Sequence, residues 1–274
     1  MPFLRARDGA QLYYELHGQG EPAIFLNGIM MNTLSWMDLI PTVATELRVI
    51  LLDFRDQGNS SKMAEQYDLD LHVDDVRQLL DELELHRVHM LGLSYGGEVA
   101  LKFALRHQDR LKTLILANTV SSISDHLQEI GRAWETAAEL NDGAKFFQLA
   151  IPFIYSATFY RTHREQLRQR QEVFRTMLTQ DWFEGFVRLV RSTSNYRLSP
   201  GELRQIKVPT LVIGAEHDII APMSEIMIIH ENVGGSEFII IPQAGHGAFL
   251  EKPGEFLTGV LGFIGKHAGK RFEQ

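Results

Sequence analysis

The chain has 274 residues, 45% of them hydrophobic and 23% charged, and carries a formal net charge of −8 at pH 7. This balance is typical of a folded protein with one large core and excludes an intrinsically disordered chain. The negative charge argues against nucleic-acid binding, since no excess of basic residues is available for phosphates. The absence of cysteine excludes disulfides, thiolate zinc sites and a cysteine nucleophile.

The sequence carries no pattern for export, for a membrane span or for a cofactor. Residues 1–18 contain no apolar signal-peptide core, and nowhere do about 18 apolar residues follow one another, so we expect a cytoplasmic protein. No H-E-x-x-H pattern, P-loop or G-x-G-x-x-G motif after a first strand occurs. We therefore expect neither a metal nor another cofactor.

Six short apolar runs predict buried strands: AIFL from residue 23, VILLDF from 49, VHMLGL from 88, LILAN from 114, TLVIGA from 210 and FIII from 238. Because the runs are continuous rather than alternating, they are typical of parallel strands covered on both faces. Spacings of three and four between the runs, as in Val73, Val76 and Leu80, predict amphipathic helices. Together these patterns predict an α/β fold with a mostly parallel central sheet, preceded by an antiparallel hairpin over residues 1–17.

The alternation of strands and helices is interrupted between residues 121 and 200. This stretch has no parallel-strand run but several amphipathic segments, so we predict a helical cap inserted into a core of residues 1–120 and 201–274. Arginine and glutamate alternate at helical spacing from Arg161 to Arg175, which indicates a solvated helix face with paired charges. The many aromatic residues of the cap predict a packed interior from which two or three side chains reach a pocket.

The segment Gly92-Leu93-Ser94-Tyr95-Gly96 matches the pattern G-x-S-x-G between a predicted strand and a predicted helix. In that context a serine occupies a sharp turn that exposes its hydroxyl, and the flanking glycines let neighbouring backbone pass closely. The alternative is a glycine-rich turn with an incidental serine. A nucleophilic serine needs a base, which works best when a carboxylate fixes its tautomer, so the chain should supply a histidine and an acid.

Two later strand ends supply these partners. Asp218 follows the run that begins at residue 210, and His246 follows the last run in a loop flanked by glycines. We predict Ser94 as the nucleophile, His246 as the general base and later general acid, and Asp218 as the carboxylate that orients it. Glu216 is the alternative acid, and the segment that follows the run at 114 offers no carboxylate.

These elements, in the order serine, acid, histidine, resemble the α/β-hydrolase fold superfamily over nearly the whole chain. The resemblance implies an α/β-hydrolase fold with an inserted helical cap and an oxyanion hole formed by the backbone N–H groups of Ile29 and Tyr95. The oxyanion loop of the family usually begins His-Gly, whereas this chain has Asn27-Gly28 with Trp36 downstream. That variant is similar to the loop of the branch that contains 3-oxoadipate enol-lactonases.

The segment from Asp53 to Ser60 is similar to the family's D-x-R-G-x-G-x-S loop, with Asp56 where glycine is usual. Aspartate tolerates left-handed backbone angles better than most residues, so we predict a structural role for Asp56. Arg55 in the same loop is the nearest arginine in sequence that could hold a substrate carboxylate.

The sequence neighbours of the predicted site, Met30, Met31 and Phe249, indicate a mostly apolar substrate pocket. The resemblance therefore implies a hydrolase of a small, largely apolar ester or lactone that is a monomer or a homodimer. Two alternatives stay open at this point. One is a carbon–carbon bond hydrolase of a vinylogous diketone, and the other is a signal receptor that retains the three site residues.

Overall fold

The computed structural model describes residues 2–268, so the last six residues of the predicted core segment 201–274 lie outside the described range. Its central element is an eight-stranded sheet. The strands are β1 (Phe3–Arg5), β2 (Gln11–His17), β3 (Glu21–Leu26), β4 (Leu47–Leu52), β5 (Val88–Leu93), β6 (Leu111–Ala117), β7 (Thr210–Ala215) and β8 (Glu237–Ile241). The six predicted runs correspond to β3 through β8.

The strands lie in the order β1-β2-β4-β3-β5-β6-β7-β8. The neighbouring strands β4, β3, β5, β6, β7 and β8 are all parallel to one another. Strand β2 is antiparallel to both of its neighbours, β1 and β4. The predicted mostly parallel sheet with an edge hairpin is therefore confirmed. Because parallel strands have their carboxyl ends on the same edge, the loops after β3, β5, β6, β7 and β8 lie near one another.

The described residues also form twelve α-helices. They are α1 (Ile40–Val43), α2 (Leu69–Glu82), α3 (Tyr95–His107), α4 (Asp125–Glu139), α5 (Gly143–Ala150), α6 (Ala157–Thr162), α7 (Arg164–Met177), α8 (Gln180–Ser192), α9 (Pro200–Leu203), α10 (Met223–Asn232), α11 (Ala248–Glu251) and α12 (Pro253–His267). No helix among residues 2–268 has the length and apolar character needed to cross a bilayer.

Helices cover both faces of the sheet. Helices α2, α3 and α10 bury their apolar sides against one face, and α1 and α12 bury theirs against the other. Helix α2 illustrates how the sequence specifies this arrangement. The side chain of Asp68 accepts the N–H of Asp70 and so caps the helix start, while the predicted positions Val73, Val76 and Leu80 are fully buried.

Helices α4 to α8 occupy the stretch between β6 and β7 where the sequence predicts a cap. Aromatic rings form much of their interior: the Phe146 ring lies 5.2 Å from Trp182, 5.8 Å from Phe183 and 5.0 Å from Phe186, measured between centroids. Edge-on contacts of this kind add to the burial of apolar area and give the inserted helices a core of their own.

Arg55 is buried in the core and is not a substrate anchor. Its Nε and Nη2 atoms donate to the two carboxylate oxygens of Asp75 at 2.7 and 2.8 Å, and Nη1 pairs with Asp8. Arg55 is 1% exposed and lines neither cavity described below. The sequence-based assignment of Arg55 as a possible carboxylate anchor is therefore wrong, because an internal bidentate ion pair occupies its donors.

Replacing Asp75 by alanine should destabilise the fold, because the buried Arg55 guanidinium loses its bidentate partner. We expect the free energy of unfolding to fall by about 3–5 kcal/mol, measured by urea denaturation. Asp81→Ala on the same helix is the matched control, since Asp81 forms its ion pairs on the surface with a side chain that is 44% exposed. Its effect should stay below about 1 kcal/mol. Equal losses in the two variants would contradict this account of Arg55.

Candidate active site

Ser94 lies in the sharp turn between β5 and α3. Its backbone has φ 52° and ψ −118°, a left-handed conformation that is costly for a residue with a side chain. Two glycines make the turn possible, because a Cβ at Gly96 would lie 2.4 Å from the Leu26 carbonyl oxygen and one at Gly97 would lie 2.5 Å from the Thr119 Cβ. The packing of strand, helix and loop thus fixes Ser94 at the carboxyl edge of the sheet.

The three predicted site residues come together although they are far apart in the chain. His246 Nε2 lies 2.8 Å from Ser94 Oγ, and His246 Nδ1 lies 2.9 Å from Asp218 Oδ2. When the Nδ1–H donates to the carboxylate, Nε2 is left to accept the serine hydroxyl proton. This arrangement can activate a serine hydroxyl and return its proton later.

Asp218 is held by more partners than sequence reasoning predicts. Its Oδ1 accepts the backbone N–H groups of Ile220 and Ala221, each at 2.9 Å, and its Oδ2 accepts the Asn118 side-chain amide at 2.8 Å as well as His246. These donors give both carboxylate oxygens hydrogen-bond partners although the side chain is fully buried. No sequence pattern assigns this role to Asn118, because the contact with Asp218 joins positions 100 residues apart.

Glu216, the alternative acid, differs from Asp218 in its exposure and its contacts. Its side chain is about half exposed, and one carboxylate oxygen accepts the N–H of Gln243 at 2.8 Å. His246 instead contacts Asp218, which follows the sharp turn after β7. The geometry favours Asp218 over Glu216 as the partner of His246.

The loop after β3 carries one of the two predicted oxyanion donors, and the first residue of α3 carries the other. Among the described residues, the N–H groups of Ile29 and Tyr95 donate no hydrogen bond to another protein group. Both residues line the cavity that contains Ser94. Tyr95 N–H also belongs to the first turn of α3, where unpaired amides favour negative charge.

Asn27 has a structural role in this loop. Its side-chain oxygen accepts the Trp36 indole N–H at 2.7 Å, and its amide donates to the Leu52 carbonyl at 2.9 Å and to Gln57 at 3.1 Å. The Gln57 amide in turn donates to the Gly28 carbonyl at 2.9 Å. An asparagine thus fixes the oxyanion loop with both ends of its amide, and neither Asn27 nor Gln57 needs to touch a substrate.

Two cavities meet at Ser94 and His246. The large cavity has a volume of about 420 Å³ and extends between α3, α4 and α8, and the small cavity measures about 90 Å³. The predicted pocket residues Met30, Met31 and Phe249 line the small cavity. Sequence reasoning missed the large cavity because its lining comes from helices distant in sequence. Six of its residues are Glu98, Asn118, Ile123, Trp134, Val190 and Ile220.

An ion pair joins helix α8 to the loop after β4. Asp56 has φ 67°, as its position in the loop predicts, and its carboxylate accepts two hydrogen bonds from Arg188 of α8, at 3.1 and 2.9 Å. It also accepts the Tyr67 hydroxyl at 2.9 Å. The Asp56 carboxylate raises the pKa of Arg188 above its usual value, so the guanidinium stays charged. The predicted structural role of Asp56 therefore includes fixing α8 beside the large cavity.

The loop that carries His246 is also tied to the helices between β6 and β7. One oxygen of Glu251 accepts the N–H groups of Ser156 and Gly245, each at 3.0 Å. The N–H of Gly247 donates to the Ile154 carbonyl at 2.9 Å. The position of His246 relative to Ser94 consequently depends on the cap segment as well as on the sheet.

Within residues 2–268, no group of three or more His, Cys, Asp or Glu side chains has an arrangement suited to a metal ion. The residues that converge on Ser94 instead form a hydrogen-bonded chain, with two cavities for the two limbs of a substrate. Such an arrangement can perform nucleophilic attack on a carbonyl carbon.

Known proteins resemble the chain along nearly its full length. A putative carbamate hydrolase, RutD of a Caulobacter species, is 28% identical over 270 residues, which cover 94% of this chain and 97% of that protein. The pimeloyl-[acyl-carrier protein] methyl ester esterase of Aeromonas hydrophila is 27% identical over 92% of this chain and 98% of its own length. The crystal structure of MGS-M2, an α/β-hydrolase enzyme from a Medee basin deep-sea metagenome library, superimposes with a TM-score of 0.93 at 31% identity, covering 96% of this chain and 97% of that one.

The family model of the α/β-hydrolase fold matches residues 22–253, a range that contains Ser94, Asp218 and His246 together with the inserted helices. The sheet order, the strand-to-helix turn at Ser94 and this match agree with one another. The resemblance seen in the sequence is confirmed, and the chain belongs to the α/β-hydrolase fold superfamily.

Proposed function

We propose that the protein is a serine hydrolase that cleaves a small, largely apolar carboxylic ester or lactone through an acyl-enzyme on Ser94. The observation that carries this proposal is the continuous chain of hydrogen bonds from Ser94 through His246 to Asp218, with distances of 2.8 and 2.9 Å. This series of hydrogen bonds ends at Ser94, where two cavities meet and an ester could place its acyl and alcohol limbs.

In the proposed reaction, Ser94 Oγ attacks the carbonyl carbon while its proton moves to His246 Nε2. The carbonyl oxygen becomes an oxyanion that accepts the N–H groups of Ile29 and Tyr95, and the Asp218 carboxylate stabilises the imidazolium. Collapse breaks the bond to the leaving alkoxide, which takes the proton from His246. Water then attacks the acyl-enzyme with His246 as the base, which releases the acid and restores Ser94.

The lining of the site supports a small substrate with mostly apolar limbs. Met30, Met31 and Phe249 line the small cavity, and the thioether side chains adapt to limbs of different shape. The names of two relatives give a carbamate and a methyl ester as their substrates, and in both the bond broken is at a carbonyl carbon. An ester or lactone offers the same reacting group to this site.

Carbon–carbon bond cleavage of a vinylogous diketone is the alternative reaction class, since it can use the same serine and oxyanion donors. The second alternative is a signal receptor that retains Ser94, Asp218 and His246 but turns over its ligand slowly. Assays with an ester series, a lactone and a diketone separate these classes: rapid turnover of the esters or the lactone supports the proposal, turnover of the diketone alone supports carbon–carbon cleavage, and very slow turnover of all three supports the receptor.

The first prediction concerns substrate length. Across p-nitrophenyl esters from acetate to palmitate, kcat/KM should reach its maximum between acetate and octanoate. Each added methylene contributes about 0.8 kcal/mol only while a cavity can bury it. A γ-lactone should be cleaved, and a carboxylated lactone should gain no advantage from Arg55, because Arg55 is occupied by Asp75. Values that keep rising to palmitate would contradict the small pocket, and rapid turnover of the diketone alone would favour the alternative reaction.

The second prediction separates the two candidate acids. Asp218→Asn should lower kcat for p-nitrophenyl butyrate by about four orders of magnitude, because the amide no longer fixes the histidine tautomer. Glu216→Gln is the matched control, since it makes the same change in the loop that follows β7 on a side chain that bonds to Gln243. It should retain wild-type kcat within about twofold. Near wild-type turnover by the Asp218 variant would disprove the assigned role.

A further inference from the structure

Three residues that line the large cavity have a buried polar atom without a hydrogen-bond partner among the described residues, and one of them, Asn118, already binds Asp218 through its amide nitrogen. Glu98 lies one helical turn after Ser94 on α3, is 6% exposed, and lines the cavity. Within the described range, its Oε2 atom has no hydrogen-bond partner, and neither has the indole Nε1 of Trp134 on α4, which is 5% exposed and lines the same cavity. The proposed acyl-transfer mechanism uses neither group.

An unpartnered carboxyl in a protein interior is unusual. Burying a polar group without a hydrogen bond destabilises the fold, so such groups normally find partners. The other buried acids follow this rule, since Asp53 accepts two backbone N–H groups, Asp75 binds Arg55 and Asp218 has four donors. Glu98 is an exception that faces a cavity, which indicates that its partner arrives with a ligand.

The surroundings of Glu98 favour the protonated form of its carboxyl. Burial raises its pKa well above the usual range, and no neighbouring cation opposes this effect. The two arginines that line the cavity, Arg132 and Arg191, form surface ion pairs with Glu129 and Glu135. In its protonated form the Glu98 carboxyl has an O–H donor as well as an acceptor oxygen, and Trp134 adds a second donor.

We infer that the large cavity binds a substrate limb bearing an uncharged oxygen acceptor, a ketone, amide or hydroxyl oxygen, which Glu98 and Trp134 hold by hydrogen bonds. This inference rests on the proposed function and adds a substrate class to it. Glu98 follows Ser94 by four residues of helix, a rise of about 6 Å, so the acceptor oxygen should lie about five or six bonds from the scissile carbonyl carbon. The Glu98 O–H, the Glu98 acceptor oxygen and the Trp134 N–H, set in a mostly apolar wall, would fix the orientation of such a limb, as in other ligand sites.

The chemistry disfavours the two other classes of limb. A carboxylate would have to leave water for a site without an unpaired cation among the described lining residues. A fully apolar limb would leave the Glu98 and Trp134 donors unsatisfied and buried, which weakens binding of the transition state. We therefore expect the cavity to favour substrates whose limb carries a neutral acceptor over substrates with a carboxylate limb or a fully apolar limb.

The test compares shape-matched esters in which an oxygen replaces a methyl group. For the acyl limb the pair is p-nitrophenyl 5-oxohexanoate and p-nitrophenyl 5-methylhexanoate, with the mono-p-nitrophenyl ester of adipic acid as the charged analogue. For the alcohol limb the pair consists of the acetates of 5-hydroxypentan-2-one and 4-methylpentan-1-ol. The quantity measured is the ratio of kcat/KM for ketone over methyl-branched ester in each pair, after subtraction of spontaneous hydrolysis.

In one of the two limbs, Glu98→Leu should lower the ratio about tenfold, the effect of one or two neutral hydrogen bonds. Glu98→Gln should keep most of the preference, because the amide still donates. Glu135→Gln is the matched control on the same cavity wall and should leave the ratio unchanged, since its carboxylate is paired with Arg191. A ratio that Glu98→Leu leaves at its wild-type value in both limbs would overturn the inference. A preference for the adipate ester that persists in Arg170→Gln would also overturn it, since Arg170 lines the small cavity.

A second readout does not depend on turnover. The infrared band of a protonated carboxylic acid should be present in the wild type at pH 7, absent in Glu98→Gln, and shifted when the unreactive ketone hexan-2-one is added. A band that does not shift at saturating ketone would overturn the inference even if Glu98→Leu fails to fold. Failure to hydrolyse any ester, combined with a shifted band, would count against the proposed reaction and not against the binding site.

Discussion

The strained turn at Ser94 is the constraint on which the rest of the site depends. A left-handed serine costs about 1–3 kcal/mol and persists only where its surroundings over-determine it. Here the Ser94 N–H donates to the Ala117 carbonyl at 2.9 Å, and the Thr119 hydroxyl donates to the Ser94 carbonyl at 2.8 Å. Strand β6 thus holds the turn, the turn starts α3, and the start of α3 supplies both the Tyr95 N–H and, one turn later, Glu98.

Two buried carboxyl groups in the same site have opposite environments. Asp218 accepts four hydrogen bonds, whereas Glu98 is buried without a donor, and this burial raises the pKa of Glu98 well above its usual range. Such separation of two carboxyl groups by environment gives them different roles at one pH. In this account Asp218 serves the reaction, and Glu98 serves the choice of substrate.

Sequence reasoning reached those parts of the fold and site that local patterns determine. Continuous apolar runs gave the strands, and residues at strand ends in the order Ser94, Asp218, His246 predicted which side chains meet, because parallel strands share a carboxyl edge. Local patterns did not predict the roles of Asn118, Gln57 or Glu98, because these roles depend on contacts between distant segments. The prediction that Arg55 could bind a substrate carboxylate was wrong for the same reason, since no pattern in its loop indicates an ion pair with Asp75 on α2.

The central claim is that Ser94, His246, Ile29 and Tyr95 form one acyl-transfer centre. A crystal structure of the protein with a short alkyl boronic acid, which mimics the tetrahedral intermediate, tests this claim most directly. We expect a covalent bond from boron to Ser94 Oγ, with one boronate oxygen about 3 Å from the Ile29 and Tyr95 nitrogens and another near His246 Nε2. Boronate bound to another residue, or attached to Ser94 with no oxygen facing those two N–H groups, would contradict the account.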